Sequence, residues 1–258
     1  LTGWFTARYG SVKVFAVAMA AFGIFSGFAA LSSSLGFLVL GRVLQGMAGG
    51  PLMPLSQTLL LRIFPKEKAG AATGIWAMTT LVGPVLGPIL GGWICDNYTW
   101  PWIFLINLPI AAVCSWICWK ILHPHETPIV RNPIDKIGFA LLIIWVGSLQ
   151  IMLDEGKNLD WFSSGFIVTL AVIAAVGFAA FLIWELTEEH PIVDLRVFRH
   201  RGFSAAVLTI SLTFAGFFAA NVLTPLWLQS FMGYTATHAG MVTAWVGITA
   251  FFVAPAVA

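Results

Sequence analysis

Charged residues divide this chain into a few long runs that contain almost none of them. The uncharged runs are Val14–Leu61, interrupted only by Arg42, then Ala69–Cys95, Asn97–Trp119, Ile137–Leu153, Trp161–Trp184 and Gly202–Ala258. A membrane-spanning helix needs roughly 17 to 25 mostly apolar residues, so the first and last runs can each hold two spans. We therefore expect an all-α polytopic membrane protein with eight spans, the eighth cut off at Ala258.

The overall composition supports this class. Of the 258 residues, 59% are hydrophobic and 9% are charged, and the mean hydropathy is +0.91. These values are far from those of soluble domains. The net charge of +2 gives no sign of nucleic-acid binding, so we expect the lipid bilayer to be the main partner.

Lys and Arg lie almost entirely in alternate loops. With alternating spans, one side of the membrane holds Arg8, Lys13, Arg62, Lys66, Lys68, Lys120, Arg131, Lys136, Arg196, Arg199 and Arg201, and the other holds only Lys157. Short loops rich in Lys and Arg remain in the cytoplasm. We therefore expect the loops that contain Arg8, Lys66, Arg131 and Arg199 to be cytoplasmic.

The remaining basic residue, Arg42, lies inside a span, where an Arg near the helix centre costs about 2.5–3.5 kcal/mol. Gln45 follows three residues later and shares its helix face. Ionisable residues within spans commonly mark a transport pathway or a proton relay. Because Arg stays protonated, it can shift the pKa of a nearby acid but cannot itself carry the proton. The alternative is a structural role, with Arg42 bound to backbone carbonyls.

Glycines recur at four-residue spacing on two spans. LVGPVLGPILGGW places Gly83, Gly87 and Gly91 on one helix face, with Pro84, Pro88 and Gly92 beside them, and Gly46 and Gly50 repeat the spacing near Arg42. Stacked glycines let a neighbouring backbone approach closely, and prolines bend a helix. We expect these residues to act in conformational change, although plain helix packing would give the same pattern.

The first loop and a later span supply two further candidate sites. In GWFTARYGSVK, Gly3 and Gly10 bracket a turn with Arg8 and Lys13, a possible pivot at which cations meet helix C-termini. In the span near residue 217, one face carries three aromatic rings and one amide, from Phe214, Phe217, Phe218 and Asn221. Such a face suits lipophilic or cationic ligands, but core or lipid contact would also explain it.

Taken in this order, the motifs resemble those of the major facilitator superfamily. GWFTARYGSVK resembles its loop motif, GRVLQGMAGG its fourth-helix motif, and GPVLGPILGG the fifth-helix motif of its antiporters. WPWIFLINLPI, GSLQIMLDEGKNLDWFSS and PIVDLRVF resemble the fourteen-helix drug:proton antiporters of the EmrB type. One departure concerns the loop, in which Ala7 replaces an acid and Ser11 replaces a basic residue, so a charge lock there is in doubt.

The resemblance implies a fragment covering about helices three to ten of fourteen. Residues 1–122 would belong to the N-terminal six-helix half, from the end of helix two through helix six. Residues 123–190 would form an inserted two-helix hairpin with its flanking loops. Residues 191–258 would contain an amphipathic segment at the membrane surface, Pro191–Phe203, and the start of the C-terminal half.

The function implied by the resemblance is proton-coupled export of lipophilic or cationic drugs across the bacterial inner membrane by alternating access. Arg42 and Gln45 would take part in proton coupling, with the acid on a first helix outside this chain. The partners would be protons, lipophilic substrates, and in the resembled exporters a periplasmic adaptor and an outer-membrane channel. The proton gradient would drive transport, so no cofactor is expected.

Two other classes of function stand as alternatives. A uniporter or symporter for a small nutrient would share the loop and fourth-helix motifs, but the Gly-Pro ridge and the two inserted helices speak against it. An intramembrane enzyme needs a catalytic set at membrane depth, and none appears in the sequence. No spacing of metal ligands appears either.

Overall fold

The structure, a computed structural model, describes residues 2–130, 133–189, 191–243 and 245, without the side chains of Leu81, Pro84, Val85 and Pro88. Its regular elements in these ranges are helices. The α-helices are α1 Thr2–Tyr9, α2 Ser11–Ala30, α3 Leu35–Gly49, α4 Leu52–Ile63, α5 Ala69–Asn97, α6 Trp102–Leu105, α7 Asn107–Leu122, α8 Lys136–Glu155, α9 Gly165–Thr187 and α10 Arg201–Ser230.

Six stretches of these helices are long and apolar enough to cross a membrane. They are Ser11–Ala30, Leu35–Ile63, Trp102–His125, Lys136–Glu155, Gly165–Thr187 and Arg201–Ser230. Helix α5, 29 residues long, matches the remaining uncharged run Ala69–Cys95. The all-α polytopic class is thus confirmed, whereas the expected eighth span falls largely outside the described residues.

The described residues fall into two compact units. One contains the described residues between 133 and 212, and the other contains those between 2 and 130 together with those between 213 and 245, so the unit boundary passes through helix α10. The predicted division at residues 122 and 190 stays a prediction.

Helix α2 occupies the centre of the larger unit because small residues let two neighbours approach it closely. A Cβ added to Gly41 on α3 would lie 3.1 Å from the Cα of Ala29. On the α7 side, a Cβ added to Gly23 would lie 2.6 Å from the Cβ of Ala111, and one added to Gly27 would lie 3.1 Å from Leu108. Close backbone approach of this kind is the usual way in which helices associate in lipid.

The span that carries Arg42 is interrupted at Gly50 and Pro51, where the backbone keeps helical φ and ψ angles. Ser34 caps the start of α3 by accepting a hydrogen bond from the backbone N–H of Phe37 at 3.3 Å. Helix α3 ends at Gly49, and α4 begins at Leu52 after Gly50 and Pro51. Because proline lacks a backbone N–H and clashes with the preceding turn, the break follows from the sequence at this point.

Helices α8 and α9 form the antiparallel hairpin of the smaller unit. The side chain of Trp145 packs against Gly177, at which an added Cβ would lie 3.0 Å from the Trp145 Cβ. The Trp145 ring also contacts Phe178 and Phe181, with ring centroids 4.9 and 6.1 Å apart. Aromatic packing over a glycine thus joins the two helices at mid-height.

One boundary in this hairpin differs from the sequence-based expectation. The apolar run predicts that the span ends at Trp184, which leaves Glu185 beyond it. Helix α9 instead continues to Thr187, and Glu185 is 1% exposed. Glu185 therefore belongs to the last helical turn of α9, where the segment that follows the helix covers it.

The segment after α9 contains a short 3-10 helix, Leu195–Arg199, whose start is capped by Asp194. The Asp194 carboxylate accepts a hydrogen bond from the backbone N–H of Arg196 at 3.1 Å. Phe198 packs edge-on against Phe203, with ring centroids 5.3 Å apart. Its expected position at the membrane surface stays a prediction.

The contact between Gly23 and Ala111 generates a stability test. Gly23→Ala should lower the free energy of unfolding by about 1–3 kcal/mol, because the new methyl group overpacks the α2–α7 contact. Ala111→Gly in the same protein should restore part of that loss. Gly147→Ala is the matched control, since nothing lies within 4 Å of a Cβ added there. Thermal unfolding of the purified protein in detergent measures all three variants, and equal midpoints for Gly23→Ala and Gly147→Ala would contradict the packing described.

Candidate functional site

Arg42 and Gln45 form a direct pair on helix α3. The Arg42 Nη1 donates a hydrogen bond to the Gln45 Oε1 at 2.6 Å. Gln45 is 2% exposed, whereas the Arg42 side chain is exposed on this chain, with its guanidinium 5.5 Å from the ring centroid of Phe104. The two residues are therefore brought together as the i, i+3 spacing predicts, and their role in proton coupling stays a prediction.

A second polar pair connects helix α2 with the α6–α7 region, and sequence reasoning missed it. Ser26, which is 0% exposed, donates a hydrogen bond to the carbonyl of Phe104 at 2.9 Å. Asn107 donates from its Nδ2 to the Ser26 Oγ at 3.1 Å. A serine within an apolar helix and an asparagine at a helix start were the available signals. These hydrogen bonds compensate the loss of hydration of the Ser26 hydroxyl and the Asn107 amide.

The first loop is bound by a carboxylate from far along the chain. Gly10 has a φ of +90°, and the Glu126 carboxylate occupies the place where a side chain would stand, with Oε1 2.5 Å from an added Cβ. The two oxygens of Glu126 accept hydrogen bonds from the backbone N–H groups of Val12 and Lys13, each at 2.9 Å. Glu126 thus caps the N-terminus of α2, where a negative charge is favourable.

Further contacts hold the same segment to the loop. The backbone N–H of Ser11 donates to the Thr127 Oγ1 at 2.9 Å, and the N–H of Val130 donates to the carbonyl of Ala7 at 2.7 Å. Positions Ala7 and Ser11 are the ones at which this loop departs from the superfamily motif. Glu126 therefore brings a carboxylate to a loop that contains none of its own.

The basic residues of the loop have different surroundings. Arg8 lies in the last turn of α1, where a cation suits the helix C-terminus, and its guanidinium lies 5.4 Å from the ring centroid of Trp4. Lys13 instead lies in the first turn of α2, so the expected meeting of cations with helix C-termini describes Arg8 only. Nothing lies within 4 Å of a Cβ added to Gly3.

The glycine ridge of α5 has open space beside it in the described part of the chain. Nothing lies within 4 Å of a Cβ added to Gly83, Gly87 or Gly91, and the side chains of Pro84 and Pro88 lie outside the description. Gly92 differs, because a Cβ there would lie 2.6 Å from the carbonyl oxygen of Ala236. The functional role of the ridge stays a prediction.

Asp96 lies one turn beyond Gly92 on α5 and contacts Thr237, the residue after Ala236. Its carboxylate accepts hydrogen bonds from the Thr237 hydroxyl and from the Thr237 backbone N–H. The hydroxyl bond, more than the backbone bond, lowers the pKa of Asp96. The connection between α5 and Thr237 is therefore formed at neutral pH and weakens as the pH falls through that lowered value.

Gly46 and Gly50, the pair with four-residue spacing after Arg42, do not make the close contacts between α3 and α2. Nothing lies within 4 Å of a Cβ added to Gly46, and one at Gly50 meets only carbonyls of its own helix. Gly41 and Gly49 make the close contacts, with Ala29 and with Phe22 of α2. The four-residue spacing was present in the sequence, but it did not identify which glycines face α2.

The aromatic face of α10 is formed, and two of its rings, Phe214 and Phe218, are about half exposed. Phe214 and Phe218 stack with ring centroids 6.0 Å apart, and the Asn221 amide donates to the carbonyl of Phe217 at 2.8 Å. Two open grooves, of about 540 Å³ and 510 Å³, lie instead beside α2, and Lys13 lines both. The substrate-binding role of the α10 face stays a prediction.

Comparison with known proteins gives a consistent result. All 258 residues match the Major Facilitator Superfamily. The chain is 48% identical to the fatty acid resistance protein FarB of Neisseria gonorrhoeae. It is 49% identical to the multidrug export protein EmrB of Escherichia coli K12 and 47% identical to that of Haemophilus influenzae. Each match covers 99% of this chain and 50% of the relative, so the chain spans about half the length of these curated relatives.

The cap formed by Glu126 generates a local prediction. Glu126→Ala should make the backbone amides of residues 11–13 exchange with solvent deuterium faster, because they lose their acceptor, and it should destabilise the protein by about 1–2 kcal/mol. Glu126→Gln keeps one acceptor oxygen and should have an intermediate effect. Glu67→Ala, in an exposed turn, is the control. Unchanged exchange at Val12 and Lys13 in Glu126→Ala, measured by hydrogen–deuterium exchange mass spectrometry, would show that the cap does not form.

Proposed function

Because the chain belongs to the Major Facilitator Superfamily, we propose that the full transporter exports lipophilic or cationic drugs by proton antiport. The observation that carries this proposal is the 47–49% identity, over nearly the whole chain, to proteins named multidrug export proteins. A relative named for fatty acid resistance supports a lipophilic substrate class. Membership of this family also favours a transporter over an enzyme.

The proposed coupling site is the Arg42–Gln45 pair. Gln45 accepts one hydrogen bond from the guanidinium, which carries five N–H donors, so Arg42 can still pair with an acid from another helix. In the proposed mechanism, that acid lies on a first helix outside this chain, and the fixed charge of Arg42 favours its carboxylate form. Proton binding to the acid would then weaken the pair and change its contacts.

The proposed substrate surface is the α10 face formed by Phe214, Phe217, Phe218 and Asn221. Its stacked rings suit flat lipophilic molecules, and they attract cations through their faces. The Asn221 amide already donates to its own helix, which leaves the amide oxygen as the polar group available to a ligand. Alternating access would expose such a face to each side of the membrane in turn.

We also propose a membrane setting for this activity. The distribution of Lys and Arg supports cytoplasmic loops at Arg8, Lys66, Arg131 and Arg199, in a bacterial inner membrane. By likeness to the EmrB-type exporters, a periplasmic adaptor and an outer-membrane channel would be further partners, and the proton gradient would replace any cofactor.

Transport assays on the full protein distinguish drug export from nutrient uptake. In a pump-deficient bacterial host, the full transporter should increase efflux of a lipophilic fluorescent dye, and collapse of the proton gradient should abolish this efflux. Accumulation of a labelled nutrient without dye efflux would support the alternative, a uniporter or symporter.

The role of Arg42 can be tested by the pH dependence of efflux. Removing the positive charge should raise the pKa of its partner acid, so Arg42→Ala should move the pH of half-maximal efflux upward by roughly one to three units, or abolish efflux. Arg42→Lys keeps the charge but loses the planar fork, and should retain part of the activity. Arg62→Ala, which removes a basic residue from the last turn of α4, is the control. An unchanged pH profile of Arg42→Ala, at matched expression, would leave Arg42 with a structural role only.

A further inference from the structure

Glu185 is a buried acid to which the proposed transport mechanism assigns no role. It lies near the end of α9 and is 1% exposed. Its Oε2 accepts a hydrogen bond from the backbone N–H of Val193 at 2.9 Å. Its Oε1 is fully buried and has no hydrogen-bond partner within the described residues. A buried carboxylate oxygen without a donor is rare, because the loss of water is then uncompensated.

The neighbouring acid, Asp135, differs from Glu185 because hydrogen-bond donors contact both of its carboxylate oxygens. Asp135 caps α8, and its Oδ1 accepts a hydrogen bond from the backbone N–H of Gly138 at 2.8 Å. The indole Nε1 of Trp184 lies 3.1 Å from both Asp135 oxygens and donates to this carboxylate. Both Asp135 oxygens therefore have a donor, whereas the Glu185 Oε1 has none among the described residues.

Gly138 shows that the two acids face each other. A Cβ added to Gly138 would collide with the Asp135 Oδ2 and would lie 2.5 Å from the Glu185 Oε1. Both oxygens therefore border the small space that the glycine leaves open. Any side chain at position 138 would enter this space, so glycine is required for the two carboxyl groups to approach.

In the described part of the chain, the charged groups that act on Glu185 are both acidic. They are Asp135, at the start of α8, and Glu188, the residue just past the end of α9. The segment after α9 faces Glu185 with the backbone amides of Ile192 and Val193. Two ionised carboxyl groups in such a place would repel each other, and the usual result is that the pair holds one proton.

We infer that Asp135 and Glu185 form a proton-binding site that fastens the segment after α9 to the helical hairpin. One proton resides on the Glu185 Oε1, whose O–H donates to the Asp135 Oδ2, so the pair carries a single negative charge. Loss of this proton to solvent at higher pH leaves two facing carboxylates. Their repulsion displaces Glu185 and releases its hydrogen bond from Val193. This inference does not depend on the substrate or direction of transport.

The first experiment looks for the proton directly in the purified full transporter. Infrared spectroscopy at neutral pH should detect the carbonyl stretch of a protonated carboxyl group, and this band should be lost in Glu185→Gln. The glutamine preserves the fold, because its amide can donate to Asp135 and accept from Val193. Glu189→Gln, which changes an exposed acid on the following turn, should keep the band. A wild-type spectrum without the band, or a band that persists in Glu185→Gln, would overturn the inference.

The second experiment measures how firmly the segment after α9 is held to the hairpin. Deuterium exchange of residues 192–194, normalised to the intrinsic rate at each pH, should accelerate with rising pH in the wild type and remain constant in Glu185→Gln. The same pH dependence in both proteins would show that Glu185 is not the switch.

Added Mg²⁺ at constant pH should leave the infrared band unchanged. Loss of the band on addition of Mg²⁺ would show that the site takes a metal ion in place of the proton, and would also overturn the inference.

Discussion

Close backbone contact on both sides of α2 is the interaction on which the larger unit depends. In a bilayer, apolar side chains gain little by leaving lipid, so helices associate where small residues allow many short contacts. Ala29 meets Gly41 of α3 on one side, and Gly23 meets Ala111 of α7 on the other. These contacts fix the position of α3 beside α2. They also fix the rotation of α3 about its own axis, which turns Gln45 inward. They also bring Ser26 close enough to Asn107 for their hydrogen bond.

Three acidic side chains in the described ranges lie at the starts of helices. Glu126 caps α2, Asp135 caps α8, and Asp194 caps a 3-10 helix. Within the described ranges, these carboxylates take their hydrogen bonds from the N–H groups that helices leave free at their starts. Such pairing is short in range and needs no long flexible side chain. It therefore suits the narrow zone in which a helix leaves the membrane.

The sequence was sufficient for the class, the positions of the spans and the pairing of Arg42 with Gln45, because each depends on local spacing. It was insufficient for the role of Glu126. This residue caps a helix that begins more than a hundred residues earlier, and only the tertiary structure creates that contact. Glu185 was missed because hydropathy placed the end of α9 too early. The four-residue glycine spacing did not identify the close contacts of α3, because it selected Gly46 and Gly50 where Gly41 and Gly49 make them.

Helices α2 and α7 are joined along their whole common length. The Glu126 cap holds one end, the hydroxyl of Ser115 donates to the carbonyl of Ala16 at 2.8 Å further along, and Asn107 binds Ser26 near the other end. Sliding of one helix past the other would have to break all of these bonds, so the three contacts together oppose a change of register between α2 and α7.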